Sequence, residues 1–213
     1  MPVQVISHKK STDRKLVVLD LDNTCICAIE KDRLNSVANP TFYVNENQFV
    51  DLEDLYRIYP RPKLQEFLDI LFRDFNVAVW TAADLDYALF VIDNFITMNN
   101  PERELQFIMW GEHCEYSSEH SVDEQAKLLT LLSLPLENPL FDINKMVLID
   151  DNELVLRQKQ DTIDSNYFDV TKHDAIYDLY FPYTCIELIT SHFNKRDSDI
   201  KKYELIAEIG KRI

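Results

Sequence analysis

The chain has 213 residues, 46% hydrophobic and 28% charged, which suits one globular domain with a sizeable core and excludes a disordered chain. Its 22 Lys and Arg against 37 acidic residues give a formal charge of -15, which argues against long contacts with nucleic-acid phosphates and leaves cations, small substrates and protein segments as partners. Two glycines in all, far below the usual share of about 7%, exclude the glycine loops with which Rossmann and P-loop proteins cradle phosphate.

Met1 to Lys15 lacks the apolar core of a secretory signal, and nowhere does an apolar run approach the roughly 20 residues of a membrane span. An intracellular protein is expected, nuclear or cytoplasmic. Leu16-Val17-Val18-Leu19 is apolar without alternation and stops at Asp20, the pattern of a parallel strand covered on both faces. Cys25 to Pro60, with Pro40, several Asn and short aromatic patches, breaks the pattern that follows and reads as a hairpin-like insertion. Cys25 and Cys27 lack the second pair that a zinc or redox site requires, so they are read as two reduced thiols in a loop. Leu64, Phe67, Leu68 and Leu71 share one helix face. Val77 to Trp80 is a second buried run, ending at Thr81. Asp84 and Asp86 then precede a helix over Tyr87 to Met98, where N-capping explains them.

Gln106 to Trp110 is a weaker strand, Val122 to Leu134 a helix, and Met146 to Ile149 a third strong run that stops at Asp150. Tyr167 to Val170 is another weaker strand, Asp197 and Asp199 fall in a polar connection, and Ile200 to Ile213 reads as a helix closing on Gly210-Lys211-Arg212. Strands and helices that alternate at this spacing predict a doubly wound α/β sheet. The expected organisation is a single domain over 1–213, with its core at about 15–179 and a C-terminal helical segment over 180–213.

Ligands of such sheets bind beyond the carboxyl ends of the strands, which places Asp20, Thr81 and Asp150 together at one edge. Asp-x-Asp occurs three times, and only Asp20 and Asp22 directly follow a buried run. A side-chain period of two aims both to one side, where two carboxylates repel unless a cation or proton intervenes. Asp150 and Asp151 are the one Asp-Asp pair of the chain. Hard oxygen ligands of this kind suit magnesium, which shares itself with a substrate phosphate. The alternative is that these carboxylates cap helices or face solvent. Thr81, with the free N–H groups that follow it at Ala82, makes an anion site without glycine, although a helix cap accounts for it equally. A phosphoryl transition state also needs a cation. Lys145 enters its strand at the amino end, on the order of 15 Å from Asp150 at about 3.3 Å per residue. Lys127 lies early in a helix that starts at the carboxyl edge and is the preferred cation, a solvated helix lysine being the ordinary alternative.

Leu19-Asp20-Leu21-Asp22-Asn23-Thr24 resembles the Asp-x-Asp-x-Thr motif of the haloacid dehalogenase (HAD) phosphatases. Tyr59-Pro60-Arg61-Pro62 with Phe67-Leu68, Val79-Trp80-Thr81-Ala82-Ala83 with Tyr87-Ala88, and Val147-Leu148-Ile149-Asp150-Asp151 resemble a narrower branch over roughly Lys15 to Leu179. That branch holds the RNA polymerase II carboxyl-terminal-domain (CTD) phosphatases and the NLI-interacting-factor group. The resemblance implies a HAD-like, Rossmann-type parallel sheet with helices on both faces and no large cap domain. It further implies that Asp20 attacks phosphorus to form an aspartyl phosphate, while Asp22 protonates the leaving oxygen and then activates water. Thr81, Ala82 and Lys127 would hold the phosphoryl oxygens. Magnesium would be bound by Asp20, the backbone carbonyl of Asp22, and Asp150 or Asp151. The implied substrate is a phosphorylated serine or threonine in a protein segment such as the polymerase tail. The alternatives are a small-molecule or polynucleotide-end phosphatase, or a catalytically silent phosphoprotein-binding module.

Three positions depart from that branch. Lys63 stands in place of a glycine, Trp110-Gly111-Glu112-His113-Cys114 lacks an arginine before the cysteine, and Asp151-Asn152-Glu153 replaces an Asn or Asp, Ser, Pro ending. Few glycines with abundant Asn, Asp and Ile point to an AT-rich genome, a virus or a parasite.

Overall fold

The computed structural model describes residues 14–45, 49–121, 126–133, 141–157, 161–178 and 181–210. Strand β1 (Leu16–Leu19) leads into an insertion of β2 (Ile26–Glu30), a 3-10 turn (Lys31–Ser36), helix α1 (Pro40–Asn45), β3 (Val50–Leu52) and β4 (Tyr56–Pro60). The chain continues through α2 (Leu64–Asp74), β5 (Asn76–Trp80), α3 (Leu85–Val91) prolonged by a π-helical turn (Ile92–Ile96), β6 (Leu105–Met109) and α4 (Gly111–Glu119). Two 3-10 turns (Leu129–Ser133 and Ile143–Lys145), β7 (Met146–Asp150), α5 (Glu153–Leu156), β8 (Thr162–Asp164), a further 3-10 turn (Ala175–Tyr177) and α6 (Phe181–Gly210) follow.

The main sheet has the order β6-β5-β1-β7-β8 with every neighbouring pair parallel. Its three central strands are buried along their whole length, as their uninterrupted apolar sequence predicts. Side chains still alternate. Val17, Leu19, Val79 and Ile149 enter one core with α2, α3 and α6, and Val18, Trp80, Met146 and Leu148 enter a second with Cys114, Leu129 and Leu132. Each fully buried side chain of this kind contributes roughly 1.5–3 kcal/mol relative to exposure. The insertion is richer than a hairpin: β2, β4 and β3 form a separate antiparallel sheet with a core of its own around Cys27, Tyr43, Tyr59 and Phe168. Cys27 therefore lies in a strand rather than a loop, and all four cysteines are free and buried.

Three expected elements differ. Within the helix expected over 122–134, the described residues form a turn at Ala126 and Lys127 and then a 3-10 helix; residues 122–125 and 134 lie outside the described set. The Leu128 N–H is taken by Ser117 Oγ at 2.9 Å, a side-chain acceptor in the place of a helical carbonyl. Tyr167 to Val170 is not a strand: Asn166 turns the chain at φ 58, and Phe168 N–H bonds Asn23 O, so its apolar character serves packing on the insertion. The C-terminal helix runs from Phe181 to Gly210, inside the helical segment expected over 180–213 but starting well before the helix read from Ile200, and Phe181, Cys185, Ile189 and Phe193 form its buried i, i+4 stripe. Of that expected segment, residues 211–213 lie outside the described set.

The backbone at Lys63 shows why glycine suits this position. It starts α2 in the left-handed region, φ 65 and ψ 16, where an L side chain costs about 1–2 kcal/mol. Glycine removes that cost but gives up about 0.5–1 kcal/mol of backbone entropy. The Lys63–Glu66 ion pair is exposed and adds little. Lys63→Gly is expected to raise stability by about 0.5–1 kcal/mol, read as the midpoint of chemical unfolding, with the slope unchanged.

Candidate active site

Strand register builds the site. Leu19 pairs with Val79 on one side and Ile149 on the other. Asp20 N–H then donates to Ile149 O at 3.0 Å, carrying the ladder one residue past β1 and setting Asp20 beside Asp150. Thr81 is fixed at the same edge by its N–H to Met109 O, 3.0 Å. Its hydroxyl oxygen accepts from Ala83 N–H at 3.1 Å, which leaves the hydroxyl proton as a donor. Gly111 N–H braces this turn through Ala83 O at 2.8 Å. A Cβ on Gly111 would stand 3.0 Å from Ala82 O and 3.3 Å from Ala83 O, tighter than ordinary contact, so the close backbone approach favours glycine here.

Lys127 is buried, and its ammonium bridges two strand ends, donating to Asp20 Oδ1 at 2.5 Å and Asp150 Oδ2 at 2.7 Å. The other Asp150 oxygen accepts from Asn152 N–H at 2.8 Å. Asp151 Oδ1 accepts from the Thr24 hydroxyl at 2.8 Å. Because that proton is spent, Ser165 donates in turn to Thr24 over 3.1 Å. Arg61 closes this shell from below. It donates to Thr24 O at 3.0 Å, pairs with Asp178 at 2.6 Å and lies 3.9 Å from the Phe181 ring.

Carboxylate oxygens of Asp20, Asp150 and Asp151 lie within 4.8 Å of one another. Three carboxylates around one ammonium leave negative charge uncompensated, and hard oxygen donors at this spacing fit a divalent cation such as magnesium. The Asp22 side chain stands outside this group and instead accepts from the Tyr87 hydroxyl, 2.6 Å from Oδ1.

Burial pushes the Asp20 carboxyl up to about 7, against the pull of Lys127 and with the charge of Asp150 adding to it. Burial also raises Asp22, opposed by the Tyr87 hydrogen bond, and raises Asp151, opposed by the bond from Thr24. For Lys127 burial acts to lower the pKa, but Asp20 and Asp150 outweigh it and hold the ammonium above the ordinary lysine value.

The expected residues Asp20, Thr81, Ala82, Lys127, Asp150 and Asp151 thus meet at one edge, with Ala82 exposed beside the buried Thr81. Lys145, set aside on distance, closes the 3-10 turn at the far end of β7. Sequence reasoning assigned no role to Arg61, Tyr87, Gly111 or Ser165. Only Arg61 and Tyr87 gave a signal, as members of the resembling motifs.

Residues 15–192 match the family model of the NLI interacting factor-like phosphatases. The chain belongs to this family. Over 160 residues it is 35% identical to a CTD phosphatase-like protein of Invertebrate iridescent virus 3, covering 72% of this chain and 83% of the relative. The counterpart from Invertebrate iridescent virus 6 is 34% identical over 166 residues, covering 77% and 91%. The fission yeast RNA polymerase II CTD phosphatase Fcp1, bound to beryllium fluoride, superposes with a TM-score of 0.52 at 18% identity over 92% of this chain. The match takes in 56% of that Fcp1 chain, little more than half its length, and at this identity the likeness is one of fold. The chain is therefore an NLI interacting factor-like phosphatase domain with an α/β fold like that of Fcp1, and viral proteins are among its relatives. Among the described residues no helix is long and apolar enough to cross a membrane.

Proposed function

We propose that this protein is a magnesium-dependent phosphatase that hydrolyses phosphomonoesters through an aspartyl phosphate on Asp20, with phosphorylated serine or threonine in a protein segment as substrate. The observation that carries the reading is Asp20 itself: a buried carboxylate at a strand end, held through Oδ1 by Lys127 and flanked by Asp150.

In the first step an Asp20 oxygen attacks phosphorus, the bond from phosphorus to the substrate oxygen breaks, and that oxygen takes the proton of Asp22. In the second, water gives a proton to Asp22 as its oxygen attacks phosphorus, and the bond to Asp20 breaks to release phosphate and restore both carboxyl groups. Burial of Asp22 favours the protonated form that the first step uses. The Thr81 hydroxyl, Ala82 N–H and Lys127 ammonium are the donors for the phosphoryl oxygens. Asp20, Asp150 and Asp151, with the backbone carbonyl of Asp22, would hold magnesium, which supplies positive charge to the phosphate when bound.

A protein segment is favoured as substrate by the viral relatives named as CTD phosphatase-like, and the tail of RNA polymerase II is the segment that name suggests. The charge of -15 disfavours a polynucleotide. The test is phosphate release by purified protein from phosphoserine peptides, nucleotides and 5′-phosphorylated oligonucleotides, side by side. Release is expected with magnesium, is lost with chelator, and is fastest on the peptides. No release from any substrate under magnesium removes the enzymatic reading, and binding of phosphopeptide without turnover replaces it with a binding module.

A further inference from the structure

We infer that Tyr87 is the positioning residue for the Asp22 carboxyl, an inference that rests on the acid-base reading of Asp22 given above. The Tyr87 hydroxyl donates to Asp22 Oδ1 at 2.6 Å, and among the described residues no other side chain hydrogen-bonds that carboxyl. A carboxyl group that delivers a proton to a leaving oxygen has two oxygens, and rotation about its terminal torsion exchanges them. A donor fixed on Oδ1 ends the exchange. That oxygen then acts as acceptor, and the proton of the acid form sits on Oδ2.

The phenol is held by two parts of the fold that owe nothing to Asp22. Tyr87 N–H donates to the Asp84 carboxylate that caps α3, at 2.9 Å, which ties the residue to the turn after β5. The ring meets Tyr56 of β4 edge-on, with centroids 6.4 Å apart, which ties it to the insertion. Asp22 has little backbone freedom left. Asn23 follows in the left-handed region at φ 60, and Asp22 bridges to Ile26 across the tight turn. What remains free is the side-chain torsion, which the phenol restrains together with a backbone hydrogen bond from Asp22 itself. Both side chains are half-buried, where reduced access of water strengthens the bond.

The consequence is a dependence on the leaving group. Serine leaves as an alkoxide and needs its proton, whereas dinitrophenolate departs as a stable anion. Because kcat/KM covers the transfer of phosphoryl to Asp20, the difference is read there. Tyr87→Phe removes the hydroxyl and keeps the ring against Tyr56. With a phosphoserine peptide its kcat/KM is expected to fall about tenfold with KM within about twofold of wild type, and with 2,4-dinitrophenyl phosphate the loss is under about twofold. Asp22→Asn is expected to show the same split enlarged, about 10²-fold or more on the peptide. Thermal stabilisation of Tyr87→Phe by magnesium with beryllofluoride, equal to that of wild type, shows that Asp20 and the anion cradle are intact.

Equal losses on both substrates, no loss on either, or loss of the beryllofluoride shift overturns the role of Tyr87. If Asp22→Asn still shows the split in that case, the reading of Asp22 stands without its tyrosine. A split absent from Asp22→Asn removes the acid-base reading, and Tyr87 falls with it.

Discussion

Asp20→Asn is expected to lower phosphate release by on the order of 10³-fold or more while leaving the protein folded, because the amide keeps the shape of the carboxylate but cannot attack phosphorus. Lys127 retains Asp150 as its partner at 2.7 Å, so the variant loses no counter-charge. Its stability carries a second signature. In the metal-free protein, burial holds the Asp20 pKa at about 7, against about 3.9 for an aspartate in an unfolded chain. Between these values the folded state binds the proton that the unfolded state has lost, so this group's contribution to stability is complete below about pH 4 and falls as pH rises through about 7. Thermal unfolding of the wild type in chelator is expected to show a midpoint that drops from pH 5 to pH 8. Asp20→Asn flattens that slope without abolishing it, since Asp22 and Asp151 are also raised. Magnesium favours the ionised carboxylate and opposes the drop. Turnover by Asp20→Asn within about tenfold of wild type excludes Asp20 as nucleophile.

Why Asp20 and Asp150 were legible in the sequence is a matter of burial. A parallel strand covered on both faces is apolar throughout, so a carboxylate at its end stands out, and the carboxyl-edge rule brings such ends together before any register is known. Leu16–Leu19 and Met146–Asp150 then pair as neighbours, which a sequence does not state. Helix α2 was legible from its apolar spacing instead, but several other elements without a continuous apolar run were not. Strand β8 buries only Ile163. Helix α6 falls in the segment expected to be helical over 180–213, but polar residues between the members of its stripe from Phe181 to Phe193 left a distinct helix readable only from Ile200. Phe168 and Val170 misled in the opposite direction, being apolar because they pack on the insertion rather than in a sheet.

The site shows the same division. Residues at the ends of the apolar strands were found, and most of the partners that reach them from elsewhere in the chain were not. The Tyr87–Asp22 and Arg61–Asp178 bonds join residues 65 and 117 positions apart, and nothing in local spacing announces either one. Lys127 was found for a reason only half right. Its place at the carboxyl edge holds, but it is delivered by a turn anchored on Ser117 rather than by a regular helix.

Lys127→Ala isolates the electrostatic argument. Asp20 and Asp150 are 6% and 0% exposed, and removing the ammonium leaves two carboxylates facing each other with no counter-charge. Breaking a buried pair from one side costs about 3–5 kcal/mol. For a chain of this length that lowers the thermal midpoint by about 6–20 °C, at roughly 2–4 °C per kcal/mol. The loss depends on conditions in a way that a packing defect does not. At pH 5 Asp20 takes up a proton and the repulsion with Asp150 is relieved, so the deficit is smaller than at pH 8. Magnesium places positive charge among the same oxygens, so the deficit shrinks again when the metal is saturating. Activity stays low in every condition, by about 10²–10³-fold, because the divalent ion does not replace the donor that Lys127 offers to the phosphoryl oxygens. Lys127→Arg keeps the charge, but a planar fork cannot reproduce a single ammonium bridging two strand ends, and it recovers only part of the stability. A deficit that is the same at pH 5, at pH 8 and with magnesium assigns Lys127 to packing, and removes the charge cluster as the organising feature of the site.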